Sequence, residues 1–246
     1  MFIVRRFEEI SNNAWPALQT IQYDGWLLRF ANGVTKRSNS VNMLYLSHLE
    51  PAEKIRVCEK LYQSRNITPC FKITSECQPD GIDALLEASG YYLHSHISFQ
   101  TLDLSGWSPH TDPEIVLETR IRESWIDDFI RMNGFNPANK TTYLSIMQQV
   151  LTPFVLLSVR CEGNIAGVGL GVMEESNIGI FDIVVDPRYR RKGLGRGIVE
   201  AILSWGVEQG ARTAYLQVLT NNTPAINLYQ KMGFRELYPY WYRMKK

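Results

Sequence analysis

The stretch Ile183-Val184-Val185-Asp186-Pro187-Arg188-Tyr189-Arg190-Arg191-Lys192-Gly193-Leu194-Gly195-Arg196-Gly197 constrains this chain more than any other. An apolar strand runs into a short basic loop with glycines, and the loop opens an amphipathic helix. The first N–H groups of a helix have no intrahelical partner. Together with the helix dipole they suit a phosphate. Gly193 and Gly195 lack Cβ atoms, so the backbone there can approach an anion and adopt unusual dihedrals. Arg190, Arg191 and Lys192 add positive charge at the same point, and the expected ligand is a pyrophosphate. Other phosphate loops fit worse. The string G-x-x-x-x-G-K-[ST] does not occur here. A dinucleotide fingerprint would place its third glycine later than Gly197 and an acidic residue at the end of the next strand. The competing reading of the cluster Arg188, Arg190, Arg191, Lys192 and Arg196 is a solvated patch or a nucleic-acid footprint; the glycines within it favour a cofactor.

The helix is read from Leu194 to Gln209, with apolar residues at 194, 198, 201, 202 and 205, the spacing of a buried face. Gly210 stands where a C-cap glycine belongs. Upstream, Trp125–Asn133 and Thr141–Val150 have helical patterns. Phe154–Arg160, Ala166–Met173 and Ile178–Val185 read as strands, with a turn at Glu162-Gly163-Asn164. Downstream come a strand (Tyr215–Leu219), a helix with Thr223 as N-cap and Pro224 at N1, and closing strand residues Phe234–Met244 after Gly233. Asn222, Ile226 and Tyr229 share one face of that helix, while Ala225, Leu228 and Met232 on the neighbouring face can fill a core.

Earlier in the chain the pattern predicts a strand at Trp26–Phe30, a tight hairpin turn at Asn32-Gly33 and a returning strand at Ser40–Leu46. A helix at Glu53–Ser64, a strand at Phe71–Thr74, a helix at Ile82–Ser89 ended by Gly90, and a strand at His94–Leu104 follow. Prolines, a glycine and small polar residues from Ser105 to Pro113 mark a linker, dividing 1–108 from 109–246. The order strand, helix, glycine-aromatic, strand occurs twice, through Gly90-Tyr91 and through Gly233-Phe234. Either two α+β units share a design, or two ordinary β-α-β segments are alike by chance.

Composition excludes little. A net charge of +1 gives no global reason to expect nucleic acid or an anionic membrane. Cys58, Cys70, Cys77 and Cys161 form no C-x-x-C pair, so reduced, buried or half-buried thiols are expected rather than zinc or disulfides. His94-x-His96 would point two rings to one side of a strand, but no third metal ligand is evident and ordinary polar strand residues are the expectation. The start of the chain is charged too early for a signal peptide, and no stretch approaches the roughly 18 apolar residues of a membrane helix. The expected location is the cytoplasm.

Val185-x-Pro187-x-x-Arg190-x-x-Gly193-x-Gly195 resembles the acetyl-CoA pyrophosphate motif of the GCN5-related N-acetyltransferase superfamily. Asn222-x-Pro224-Ala225-x-Asn227-Leu228-Tyr229-x-x-x-Gly233-Phe234 is similar to that superfamily's last helix and following strand. The resemblance is close over the C-terminal third and extends back to about residue 112. It implies an α+β acyl-CoA N-acyltransferase fold (α/β three-layer), a mixed β-sheet flanked by helices and splayed beside Ile178–Val185. It also implies acetyl-CoA as co-substrate, an amine as acceptor, and no metal. The pantetheine arm would run along Ile183, Val184 and Val185. The pyrophosphate would rest on the amides of Arg191, Lys192, Gly193, Leu194, Gly195 and Arg196, beside Arg190. Asn222, Asn227 and Tyr229 would contact the cofactor, with Tyr229 at its sulfur.

In such a reaction an amine attacks the thioester carbonyl and the departing thiolate must be protonated. Tyr229 can be the acid, with an ordinary pKa of about 10 against about 8.5 for a thiol, or can only hydrogen-bond the sulfur. Its bland alternative is a packing aromatic. A main-chain N–H at the end of Ile178–Val185 can serve the oxyanion. An alkylamine of pKa about 10.4 must lose a proton, for which Glu174, Glu175 and Asp182 are candidates. Asp182 interrupts an apolar strand, and its alternative is a strand residue facing solvent or an arginine.

Residues 23–40 are similar to tandem bacterial members of the superfamily, in which the N-terminal half looks like a degenerate copy without the cofactor loop. The resemblance therefore implies two lobes, with 1–108 degenerate and 109–246 catalytic. No R-x-x-G-x-G occurs before residue 109. The polar run Thr35–Asn42 either lines a substrate cleft or forms a hairpin turn. Three readings compete: an N-acetyltransferase, a non-catalytic acetyl-CoA-binding sensor or scaffold, and a nucleic-acid module built on the basic loop. The identity of the acceptor and the oligomeric state are not written in the sequence.

Overall fold

The structure, a computed structural model, describes residues 2–108 and 114–245. Pro109, His110, Thr111, Asp112 and Pro113 of the expected linker lie outside the described residues. The elements begin with α1 (Phe2–Ala14), β1 (Gln19–Tyr23), β2 (Trp26–Phe30), β3 (Val41–Asn42), α2 (Pro51–Gln63), β4 (Cys70–Ile73), α3 (Ile82–Ala88) and β5 (Tyr92–Asp103). They continue with β6 (Ile115–Glu118), α4 (Glu123–Asn133), α5 (Lys140–Gln148), β7 (Phe154–Cys161), β8 (Asn164–Glu174) and β9 (Asn177–Val185). A 3-10 turn (Pro187–Tyr189), α6 (Leu194–Glu208), β10 (Thr213–Leu219), α7 (Thr223–Lys231) and β11 (Arg235–Met244) complete the chain. No helix among the described residues is long and apolar enough to cross a membrane.

The described residues form two compact units, which are not consecutive halves. One comprises residues 2–99, 218–222 and 236–245, and the other residues 100–108, 114–217 and 223–235. The closing strand thus packs with the first unit: Trp241 to Met244 pair antiparallel with Ile73 to Cys70, and Arg243 donates to both carboxylate oxygens of Asp83 (2.7 and 3.1 Å).

In the first unit the strand order is β1-β2-β3-β4-β11-β5. Its core joins Trp26, Leu28, Phe30, Phe71 and Ile73 of the strands to Ile55, Cys58 and Tyr62 of α2 and Leu86 of α3. The sequence pattern gives no helix before residue 26, yet α1 buries Val4, Phe7, Ile10 and Ala14 on one face. Glu8 lies on that same face. It is fully buried, ion-paired with Lys72 (2.7 Å), and accepts a hydrogen bond from the Tyr238 hydroxyl (2.7 Å).

The expected return strand Ser40–Leu46 shrinks to Val41–Asn42, and Asn32-Gly33 opens a loop rather than a two-residue hairpin, although both residues do have positive φ (53° and 74°). The loop is held from inside. Asn39 Oδ1 accepts from the N–H of Ala31 (2.7 Å) and Gly33 (2.9 Å), its Nδ2 donates to Thr35 O (2.7 Å), and buried Asn42 donates to Ser40 O (3.1 Å). The polar run Thr35–Asn42 is thus largely spent on its own backbone.

In the second unit the order is β10-β9-β8-β7-β6, with β10 parallel to β9 and the remaining pairs antiparallel. The glycines of β8 have a packing cause. A Cβ at Gly169 would lie 2.5 Å from Ile198 Cγ2 and 2.7 Å from Ile183 Cδ1, so α6 sits on β8 with no room for a side chain between them. Buried Ile198, Ala201 and Ile202 form the face that sequence spacing identifies, while Leu194 and Trp205 are only half-buried. Below them α4 buries Trp125, Ile126, Phe129 and Ile130, and the Trp125 indole donates to Leu157 O (2.9 Å).

Gly169→Ala is therefore expected to destabilise the protein by about 1–3 kcal/mol, the usual cost of overpacking. Denaturant unfolding of the variant checks this; an unchanged midpoint would mean that α6 and β8 are less tightly apposed.

Candidate active site

The site starts where β9 loses its neighbour. The β9–β10 register runs from Asn177 to Ile180, and from Ile183 to Val185 β9 pairs with no strand on its β10-facing edge among the described residues. On its other edge β9 keeps β8, but the register shifts. Val168 faces Val184 while Leu170 faces Phe181, leaving Asp182 and Ile183 opposite Gly169. This is a β-bulge, and Asp182 takes the left-handed conformation that it requires (φ 53°). The residue that seems to interrupt an apolar strand is thus the extra residue of a bulge. Ile183 and Val185 are half-buried at the open edge and Val184 is buried. The Val185 carbonyl already accepts a hydrogen bond from Arg190 Nε (3.2 Å).

Beyond β9 the chain turns sharply. Asp186 is buried, and its Oδ1 accepts from the N–H of Arg188 (3.0 Å), which starts the 3-10 turn as an N-cap does. Arg188 and Arg131 side chains complete its shell, and these bonds hold the carboxyl far below the ordinary range. Arg191 (φ 65°) and Gly193 (φ 84°) are both left-handed, and Gly193 precedes the first residue of α6. That helix has no side-chain N-cap and no acidic residue in its first turn. Arg196 and Gly197 both donate their N–H to Gly193 O (3.0 and 3.1 Å). The amides from Arg191 to Gly195 meet no acceptor among the described residues. The amide set is therefore one residue shorter than the sequence implies, because the N–H of Arg196 turns into the helix.

Charge follows the same logic. Lys192 is paired with Glu162 (3.2 Å), Arg196 with Glu200 (2.8 Å), and Arg188 with Asp186 (2.8 Å). Arg190 and Arg191 are exposed and carry no ion pair among the described residues, leaving two cations for a dianionic ligand.

Three elements meet at Gly195. A Cβ built there would lie 3.7 Å from Val185 Cγ2 and 3.8 Å from Leu228 Cδ2, which brings together β9, α6 and α7. Next to Leu228, Tyr229 is the buried residue of α7, with its ring edge-on to Phe234 (5.8 Å). Ala225, Leu228 and Met232, expected to fill the core, are only half-buried. The Tyr229 hydroxyl has no hydrogen-bond partner among the described residues, and burial pushes its pKa up to about 12. α7 begins at Thr223, so Asn222, not Thr223, holds the capping position, and Pro224 is at the second helical residue. Asn222 and Asn227 are exposed. Asn222 falls in the first packing unit while Asn227 and Tyr229 fall in the second.

The other candidates lie elsewhere. Glu174 and Glu175 form the β8–β9 hairpin turn, about 20 Å of strand away from Asp182 at roughly 3.3 Å per residue. His94 packs on Tyr92 (6.1 Å) and His96 on Trp241 (6.0 Å), with left-handed Ser95 (φ 57°) between them. The four cysteines are free; Cys58, Cys70 and Cys77 are buried, and burial pushes their thiols up to about 12, 12 and 11.

A mixed sheet opened beside one strand, with an uncapped, glycine-led helix at the end of that strand, defines the acyl-CoA N-acyltransferase fold, and the chain is an acyltransferase of the GCN5-related class. Residues 3–243 match the sequence model of the family described as "Probable histone acetyltransferase Rv0428c C-terminal", and the chain belongs to that family. It is 29% identical to an uncharacterized N-acetyltransferase, YobR, of Bacillus subtilis, over 99% of each chain. It is 40% identical over 65 residues to the ribosomal protein bS18-alanine N-acetyltransferase of Escherichia coli, a match covering 26% of this chain and 43% of that enzyme. Among solved structures, a GCN5-related N-acetyltransferase from Kribbella flavida aligns over 100% of this chain and 96% of its own, with a TM-score of 0.71 at 12% identity. A tandem protein of the same class from the clavulanic acid biosynthesis pathway aligns over 96% of this chain and 86% of its own, with a TM-score of 0.65 at 12% identity.

The contacts at Gly195 separate ligand binding from folding. They are ordinary van der Waals distances, so Gly195→Ala is expected to leave stability unchanged or raise it by up to about 1 kcal/mol, as alanine does in a helix. Its methyl would stand among the bare amides, and affinity for CoA is expected to fall about tenfold or more, a loss of about 1.4 kcal/mol. Denaturation and calorimetric titration of one variant check both halves; unchanged CoA affinity would remove Gly195 from the binding surface.

Proposed function

We propose that the protein transfers the acetyl group of acetyl-CoA to a primary amine by direct attack, using the open edge of β9 and the start of α6 to hold the donor. The observation that carries this reading is the end of the β9–β10 register at Ile180, short of the end of β9 at Val185, together with a following turn whose amides from Arg191 to Gly195 have no acceptor in the described protein. Main-chain groups at Ile183 and Val185 would pair with the amide-bearing arm of the donor. Arg190 and Arg191 would face its diphosphate, with Asn227 as a further polar contact. The donor supplies an activated thioester; the rest follows from this chain's own groups.

With its pKa near 12, Tyr229 keeps its proton at any physiological pH. Held above its ordinary range by burial, the phenol gives up its proton less readily than it would in water. The hydroxyl therefore acts first as a hydrogen-bond donor to charge developing on the sulfur, and its proton moves late, once a nucleophile or water can replace it. Asp182, on the bulge beside the open edge, is the proposed acceptor of the amine proton, directly or through water. A main-chain N–H of the bulged strand would meet the oxyanion.

The first unit is proposed to be a degenerate copy of the second. The likeness extends to cap geometry. Tyr91 donates its N–H to Leu86 O (3.0 Å) and Gly90 to Glu87 O (3.0 Å); Phe234 donates to Tyr229 O (3.0 Å) and Gly233 to Gln230 O (3.1 Å). Both glycines are left-handed (φ 85° and 98°). Superposing these caps puts Leu86 where the second unit has Tyr229, so the first copy lacks the hydroxyl as well as the glycine-led loop.

Tyr229→Phe is expected to lower kcat by about 10²–10⁴, the range for a lost acid–base group, while CoA affinity stays within about twofold. Thiol release measured across an amine panel, alongside calorimetric affinity, checks this. CoA binding with no turnover by the unmutated protein would instead favour a sensor.

The same burial predicts a pH profile. Because the protonated phenol is the active form and its pKa is near 12, kcat is expected not to fall between about pH 8 and about pH 10. A descending limb centred near 10 would mean that Tyr229 titrates as an ordinary phenol.

A further inference from the structure

We propose that Arg131 is a positioning residue for the transfer reaction, tying the end of α4 to the cofactor turn through the buried carboxylate of Asp186. The inference rests on the function proposed above and adds a residue that neither motif contains.

Asp186 stands between β9 and the turn and is 4% exposed. Its N–H donates to Ala166 O (2.8 Å), which keeps its backbone on β8. Its carboxylate takes four bonds. Oδ1 accepts from the N–H (3.0 Å) and Nε (3.1 Å) of Arg188, while Oδ2 accepts from Arg188 Nη2 (2.8 Å) and Arg131 Nη1 (2.9 Å).

These donors are not equivalent. Arg188 lies two residues away with its side chain 68% exposed, so its bonds close the turn on itself. Arg131 comes from the last turn of α4, 55 residues away in sequence. Its second arm, Nη2, donates to Asp128 Oδ1 (2.7 Å) on the same helix. A planar guanidinium fixes the angle between its two arms. Holding Asp128 with one arm and Asp186 with the other, Arg131 sets where the turn stands relative to α4. Only the 3-10 turn and Arg190 separate Asp186 from the first bare amide at Arg191, so a rotation at Asp186 re-aims the whole row. Arg131 acts through Asp186.

The side chain of Arg131 is 47% exposed, so replacing it opens no buried cavity, and Asp186 keeps its three bonds from Arg188. The test compares Arg131→Met and Arg131→Lys with the unmutated protein. Amide hydrogen exchange of the ligand-free proteins is measured first, followed by kcat and KM for acetyl-CoA. In Arg131→Met, exchange is expected to speed up by about fivefold or more across residues 187–195 while β7 and β8 are unchanged, and KM for acetyl-CoA to rise similarly with kcat within about twofold. Arg131→Lys, with one donor group able to reach Asp186, is expected to recover part of both effects. Unchanged exchange at the turn, or faster exchange throughout the unit, would overturn the proposal, as would a loss confined to kcat. If the unmutated protein transfers no acetyl group, the proposed function fails, and the exchange comparison still decides the role of Arg131.

Discussion

Main-chain N–H and C=O groups taken from water need partners, and the second unit turns two sets of such groups toward one place. β10 accompanies β9 only to Ile180, and α6 begins without a capping side chain. The surrounding structure maintains this arrangement. The glycines of β8 let α6 settle close enough that its axis, and so its first turn, is fixed against β9. The bulge at Asp182 shifts register just where the strand edge opens. Leu228 and Val185 then approach Gly195, bringing α7 and β9 to the first turn of α6.

The turn before α6 is legible in the sequence because its signals are local. Gly193 must be glycine to take a φ of 84° at low cost, and the basic residues around it are contiguous. Tyr229 could be placed by helical spacing, but the burial that raises its pKa depends on packing with Phe234 and could not be read from spacing. The sequence reading does not pick out Asp186 as the cap of the 3-10 turn, although a signal exists: an aspartate directly before Pro-Arg is a common start for a capped turn. Nothing local could have found Arg131, whose partner is 55 residues distant.

The same contrast explains why the sequence pattern does not reveal α1. Glu8 looks like a solvent residue and breaks the apolar pattern of α1, and only Lys72 and Tyr238, far along the sequence, make its burial tolerable. The loop after β2 was ambiguous for the opposite reason. Its polar residues suit a ligand surface by composition, yet Asn39 and Asn42 are occupied with their own backbone. The closing strand reads as the end of the second half and packs in the first unit, since strand pairing is set by register and not by sequence proximity.

CoA bound along β9 with its diphosphate on the turn before α6 would perturb the amide resonances of both, and an NMR titration of the protein with CoA reads them. Saturable shifts are expected at Arg191 to Gly195 and at Ile183, with β6 and β7 little affected. Shifts centred elsewhere, or none at millimolar CoA, would contradict that placement.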